Sequence, residues 1–158
     1  MSEPKCIFCK ILQQDLPYKF FENEAFLGIL DVNPLVRGHS LLVPKTHYAD
    51  ARQFPKEVAS LYLPSIQEII AILEANIEWV CDFTVCQSIG ASAFQTVPHG
   101  HSHIIPRLPN DAIGPLPVDR AWPVQLRTPL DVEWAQAFIA GSLLRQIVGI
   151  YNTDRDQK

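Results

Sequence analysis

Three of the chain's five histidines stand at every second position in HGHSHIIPR, residues 99 to 107. Side chains two apart on an extended strand share a face. His99, His101 and His103 are therefore expected in one row, with Gly100 and Ser102 turned the other way. Like charges side by side repel, so three adjacent imidazoles cannot all be protonated cheaply. A neutral imidazole is a metal ligand, a general base or a nucleophile near neutral pH. The spacing alone does not choose between metal binding, catalysis and a solvated polar strand face. Gln95 and Thr96 lie just upstream and Arg107 lies at the far end. The Gln95 amide suits a ligand oxygen. The Arg107 guanidinium suits a phosphate or carboxylate, or else simply ends a surface strand.

A second group sits near the start. Cys6 and Cys9 have C-x-x-C spacing, which fits two thiolates on one zinc and leaves two ligands to find. The alternative is a pair of small buried residues. Cys81 and Cys86 are expected as core residues of a strand face. His39 follows Gly38 in a turn, where a local hydrogen bond is its expected role.

The elements that must carry these residues follow from periodicity. KFFENEAFLGILD reads as two short strands with a turn at 22–24, after an earlier turn at 15–17. HSLLVPK is another strand. Val58, Leu61, Ser65, Ile66, Ile69, Ile70, Leu73 and Ile77 recur at helical spacing, so a helix is expected from about Lys56 to about Asn76, kinked or broken at Pro64. DFTVCQSI and HGHSHIIPR are strands joined by GASAFQTVP. A last helix is expected from about Leu130 to about Ile150. Connections this short exclude parallel crossovers. The expected class is α+β, an antiparallel sheet of about five strands with helices on one side.

With 158 residues, the chain is long enough for one domain with a core, and 47% hydrophobic and 19% charged residues are ordinary globular values. A net charge of −4 argues against a nucleic-acid polymer as partner, though not against a small anion. No apolar run reads as a membrane span, and the polar start MSEPKC shows no signal-peptide core. A cytoplasmic setting is expected, with a nuclear one open. There the four cysteines stay reduced.

QTVPHGHSHIIPR, preceded by CIFCKIL and LDVNPLVRGHSLLVPKTHY, resembles the histidine triad (HIT) superfamily over roughly residues 5–107. The resemblance implies a single domain over 1–158, a HIT-like core at 5–107 with a Pro-rich segment and closing helix at 108–158, and assembly as a homodimer. It also implies nucleotide chemistry: the middle histidine attacks the α-phosphate of a nucleotide conjugate to give a nucleotidyl-histidine, resolved by water or another acceptor. On this chain the nucleophile would be His101. His103 would bind and polarise the phosphate, Gln95 would contact the phosphate or leaving group, and Asp31 and Asn33 would hold ribose and base. Zinc-bearing members use a Cys2His2 set, which implies a structural Zn2+ on Cys6, Cys9, His47 and His99.

The chain departs from the family pattern in two places. The positions between the histidines are usually apolar, but here they are Gly100 and Ser102, so either something bulky packs on that face or the strand is less buried. Ser88 stands where an asparagine often contacts substrate, and Phe94 replaces the glycine before Gln95, a position whose positive φ suits glycine better. Trp122 and Trp134, in the tail, are expected to be structural. Besides a hydrolase or transferase acting on phosphoramidates or dinucleoside polyphosphates, two readings stay open. One is a nucleotide-binding or zinc-stabilised module with little turnover. The other is a HIT-like scaffold redirected to non-nucleotide biosynthesis.

Overall fold

The computed structural model describes residues 6–14, 18–111, 113 and 128–148. Elements run α1 (Ile7–Leu12), β1 (Lys19–Glu22), β2 (Phe26–Leu30), β3 (Ser40–Pro44), α2 (Lys56–Asn76), β4 (Asp82–Cys86), β5 (Ser102–Arg107) and α3 (Val132–Val148). The strands form one five-stranded sheet in the order β1-β2-β3-β5-β4, and every neighbouring pair is antiparallel. The architecture is α+β, as the short connections require. The expected turn at 15–17 and Trp122 lie outside the described residues.

FLGIL and SLLVP are buried at every position. Such unbroken apolar runs mark strands covered on both faces, and two side-chain clusters cover them. On one face Phe20, Phe26, Leu30, Leu42 and Ile104 pack with Ile66, Ile69, Ile72 and Leu73 of α2 and Phe138 of α3. On the other, Ile29, Leu41 and Val43 pack with Cys6, Phe8 and Cys9 of the α1 segment. Alternate residues of β3 thus serve opposite clusters, as the pleat demands.

Helix α2 occupies the residues its periodicity predicts and, of the kink or break expected at Pro64, shows no break. It contains an 18-residue window of mean hydropathy 1.3, long and apolar enough to cross a membrane. Its Ile66, Ile69, Ile72 and Leu73 are packed on the sheet instead. α3 is anchored by Phe138, whose ring meets Phe20 edge-on at 5.3 Å, and Trp134 stacks on Phe138. Trp134 is therefore structural, and its helix shares the core of the sheet.

Candidate active site and metal centre

β5 begins at Ser102, three residues later than the alternation suggests. Pro98 has no N–H for a ladder, and the backbone turns there, with the His99 N–H on the Val97 carbonyl at 2.8 Å. The Gly100 N–H goes to the Tyr48 carbonyl at 2.7 Å. The three histidines therefore do not form a single row. His101 and His103 stay neighbours, with ring centroids 5.3 Å apart, while the His99 ring packs 5.0 Å from that of His47. The Phe8 ring touches both sets, 5.6 Å from His99 and 5.0 Å from His101.

His99 is fully buried. Its Nε2 donates to the Pro44 carbonyl at 3.0 Å, which leaves the lone pair on Nδ1. That Nδ1 lies 3.4 Å from Cys6 Sγ and 3.6 Å from Cys9 Sγ, and His47 Nδ1 lies 3.2 Å from Cys9 Sγ. A tetrahedral zinc with its usual bond lengths separates sulfur and nitrogen ligands by about 3.5 Å. The donor set, the spacing and the oriented second nitrogen of His99 are all compatible with zinc. α1 makes the thiol pair: Cys6 is its N-cap and Cys9 lies in its first turn, one helical turn apart.

On the other side of Phe8, His101 Nδ1 lies 2.7 Å from the His99 carbonyl oxygen. A carbonyl only accepts, so Nδ1 carries the proton and Nε2 the lone pair. Burial holds the His101 imidazole below its ordinary pKa. Its bond to the His99 carbonyl and the Asp31 carboxylate pull the other way. The ring is thus kept neutral with a nucleophilic nitrogen.

His103 is set by a residue whose reach the sequence did not reveal. His39, fully buried, accepts the Leu35 N–H on Nδ1 at 3.1 Å, so its own proton sits on Nε2. That Nε2 lies 3.0 Å from His103 Nδ1 and 3.7 Å from the Asp31 carboxylate. His103 Nδ1 therefore accepts, and its Nε2 is the donor. The expected local bond of His39 is present, but the contact with His103, 64 residues away, is the consequential one. Asp31, His39 and His103 are close enough to share an ion. The Leu35 donor forces a proton onto His39 Nε2, and a protonated nitrogen is not a ligand.

The substrate-side expectations divide. Asp31 is buried and accepts the Asn33 N–H at 2.8 Å, which shapes the loop that exposes Asn33. Ser88 is exposed two residues past β4. Gln95 is a correction: both its amide protons are committed, to the Ala49 carbonyl at 2.7 Å and the Val97 carbonyl at 2.9 Å, and its oxygen accepts the Gly90 N–H at 2.7 Å. It clamps the loop and has no donor left for a phosphate. Arg107 is a second correction. It grips Asp111 through Nε at 2.6 Å and Nη2 at 2.7 Å, with Nη1 on Thr84 at 2.8 Å. It also lies four residues, about 13 Å, along β5 from His103. Its guanidinium closes a strand end.

The departures also have structural answers. A Cβ on Gly100 would lie 3.2 Å from the Phe54 ring and 3.3 Å from the Asp50 backbone, so the bulky neighbour is there. Ser102 is buried against Tyr62. Phe94 takes the left-handed conformation at φ 60°, ψ 28°, and is an exposed residue, so the loop keeps a glycine-like shape without the glycine. Cys86 is half-buried on β4 and lies outside both core clusters, and Cys81 is exposed, so neither is the core residue expected.

The family model for the HIT domain matches residues 16–110. An adenosine 5'-monophosphoramidase of Schizosaccharomyces pombe is 33% identical over 129 residues, covering 81% of this chain and 90% of its own length. An adenylylsulfatase of Arabidopsis thaliana is 38% identical over 110 residues, 68% of this chain and 55% of its own. The crystal structure of a Zn-bound histidine triad family protein from Mycobacterium smegmatis superposes with a TM-score of 0.72 at 30% identity, covering 92% of this chain and 97% of that one. With its histidines so arranged and its sheet so ordered, the chain belongs to the HIT family.

Proposed function

We propose that the chain is a hydrolase or transferase of nucleotide conjugates, phosphoramidates or dinucleoside polyphosphates, that works through a covalent nucleotidyl-His101. The observation that carries this is the 2.7 Å bond from His101 Nδ1 to the His99 carbonyl, which puts the ring's lone pair on Nε2. Relatives named as a phosphoramidase and an adenylylsulfatase support the substrate class. In the first step Nε2 attacks the α-phosphorus, a P–N bond forms, and the leaving group departs with the electron pair of its own bond to phosphorus and is protonated. In the second, water or another acceptor attacks the same phosphorus and His101 regains its lone pair. One hard displacement becomes two easier ones. His103, donating through Nε2, meets charge on the phosphoryl oxygens. Asp31 and Asn33 would hold the ribose and base, and the exposed Ser88 would contact the substrate.

Cys6, Cys9, His47 and His99 would hold a structural zinc, which would fix α1 and the backbone before β5, and with them the His99 carbonyl. Thiolate ligands require a reducing compartment, so the cytoplasm, or the nucleus, is the proposed setting. A homodimer is also proposed. Among the described residues β4 is an edge strand with Val85 exposed, and such an edge is a natural place for a second chain.

Incubation with adenosine phosphoramidate and diadenosine polyphosphates tests the reading. Turnover by the wild type and none by His101→Ala is the expected result. Binding without turnover would favour a nucleotide-binding module, and indifference to every nucleotide would favour a redirected scaffold.

A further inference from the structure

Ser102 is a polar residue on the face of β5 that packs against α2, and it is fully buried there. Its hydroxyl lies 2.6 Å from the Tyr62 hydroxyl of α2 and accepts the Gln87 Nε2 proton at 3.2 Å. Gln87 is the residue at which the chain leaves β4 for the 88–95 loop. Cys86 pairs with His103. Continuing that register puts Gln87 beside Ser102, as their hydrogen bond records, and Ser88 across from His101. Gln87 bonds to Ser102 on the α2 side, and Ser88, the next residue along the loop, is exposed.

The loop has little apolar burial to hold it: Ile89 is 40% and Phe94 67% exposed. It is held by polar clamps instead. Gln95 closes its far end on the Ala49 and Val97 carbonyls. The Gln87–Ser102–Tyr62 chain closes the near end.

We propose that Ser102, through Gln87, is a positioning residue that sets the 88–95 loop, and with it Ser88, across the nucleophile, with Tyr62 bracing the hydroxyl from α2. This rests on the reading of His101 as the nucleophile. It explains why a hydroxyl stands between two histidines where the family pattern is apolar. An aliphatic side chain there would fill the space and release Gln87.

Two measurements on the full-length, metal-loaded protein decide it. The first is amide hydrogen exchange at 87–95, followed in wild type, Ser102→Ala, Gln87→Met, Tyr62→Phe and Ser102→Thr. Opening one clamp is expected to speed exchange in this loop about tenfold, the effect of losing one net hydrogen bond, with β2 and β3 unchanged. Ser102→Thr, which keeps the hydroxyl, is expected to restore protection. Unchanged exchange in Ser102→Ala and Gln87→Met, or equal acceleration throughout the sheet, overturns the proposal. If Ser102→Ala does not fold, Gln87→Met and Tyr62→Phe carry the same test.

The second is kcat/KM with adenosine phosphoramidate for Ser102→Ala, Ser88→Ala and the double variant. The double variant is expected to be no worse than the poorer single one, because both changes remove the same contact. Fully additive losses overturn the proposal. A wild type without turnover would refute the nucleophile reading, and the exchange data would still decide whether the clamp exists.

Discussion

Nε2 of His39 lies 3.0 Å from Nδ1 of His103, and the backbone of Leu35 dictates which of the two carries the proton. One N–H at position 35 thereby fixes the tautomers of two rings in sequence. It leaves His103 as a donor beside His101, whose lone pair is fixed by the His99 carbonyl. The arrangement sets a lone pair on His101 beside an N–H donor on His103, with the Asp31 carboxylate behind His39.

His39→Ala removes the atom that orients the His103 proton. The variant is expected to lose about 100-fold in kcat, the lower end of what a positioned proton donor contributes, with a smaller change in KM. Steady-state kinetics with adenosine phosphoramidate measures this. Circular dichroism must show an intact fold, because His39 is fully buried.

Removing metal should act on structure first. The wild type is expected to carry close to one zinc per chain. Cys6→Ser should lose nearly all of it and melt at a lower temperature, because a structural site contributes to folding directly. Plasma emission spectrometry with a thermal melt reads both. Unchanged zinc content in Cys6→Ser would remove the cysteine pair from the site.

The two remaining cysteines should differ sharply in reactivity. Burial pushes the Cys86 thiol up to about 11, whereas Cys81 is exposed. A raised thiol pKa means that the reactive thiolate is scarce below it. At pH 8 only about one Cys86 in a thousand is ionised. Iodoacetamide at pH 8 should label Cys81 and spare Cys86, and Cys86 labelling should rise with each step in pH toward 11. Peptide mapping checks both.

Gly100 is fixed by space. The position between the first two histidines is commonly apolar in the family pattern, yet a Cβ here meets the Phe54 ring at 3.2 Å and the Asp50 backbone at 3.3 Å. Gly100→Val should destabilise by about 1–3 kcal/mol, the usual cost of overpacking. Urea denaturation should show a lower midpoint at an unchanged slope.

Much of this was legible in the residues. α2 keeps the bounds set by its apolar spacing, and KFFENEAFLGILD folds as the hairpin it suggests, its turn closed by Asn23 accepting the Ala25 and Phe26 N–H groups. The four candidate ligands, the cysteine pair among them, come together within 4.8 Å. What could not be read locally depends on distant partners. The row of histidines failed because β5 begins only at Ser102, and the His99 and Gly100 N–H groups go to the Val97 and Tyr48 carbonyls. Gln95 and Arg107 have the chemistry to bind a phosphate, but Ala49, Val97, Gly90 and Asp111 claim their donors and acceptors first. Cys81 falls just outside β4, so strand alternation did not place it. The reach of His39 was hidden because the sheet sets β3 beside β5. Only Gly38-His39 next to a strand hinted at it.

The central claim is that one imidazole, at position 101, bonds to phosphorus. Acid quenching during turnover of a nucleoside phosphoramidate, followed by peptide mass mapping, tests it directly. A nucleotidyl group on the peptide containing His101, absent from His101→Ala, is the predicted result. The same adduct persisting in His101→Ala, or turnover that survives the substitution, would contradict it.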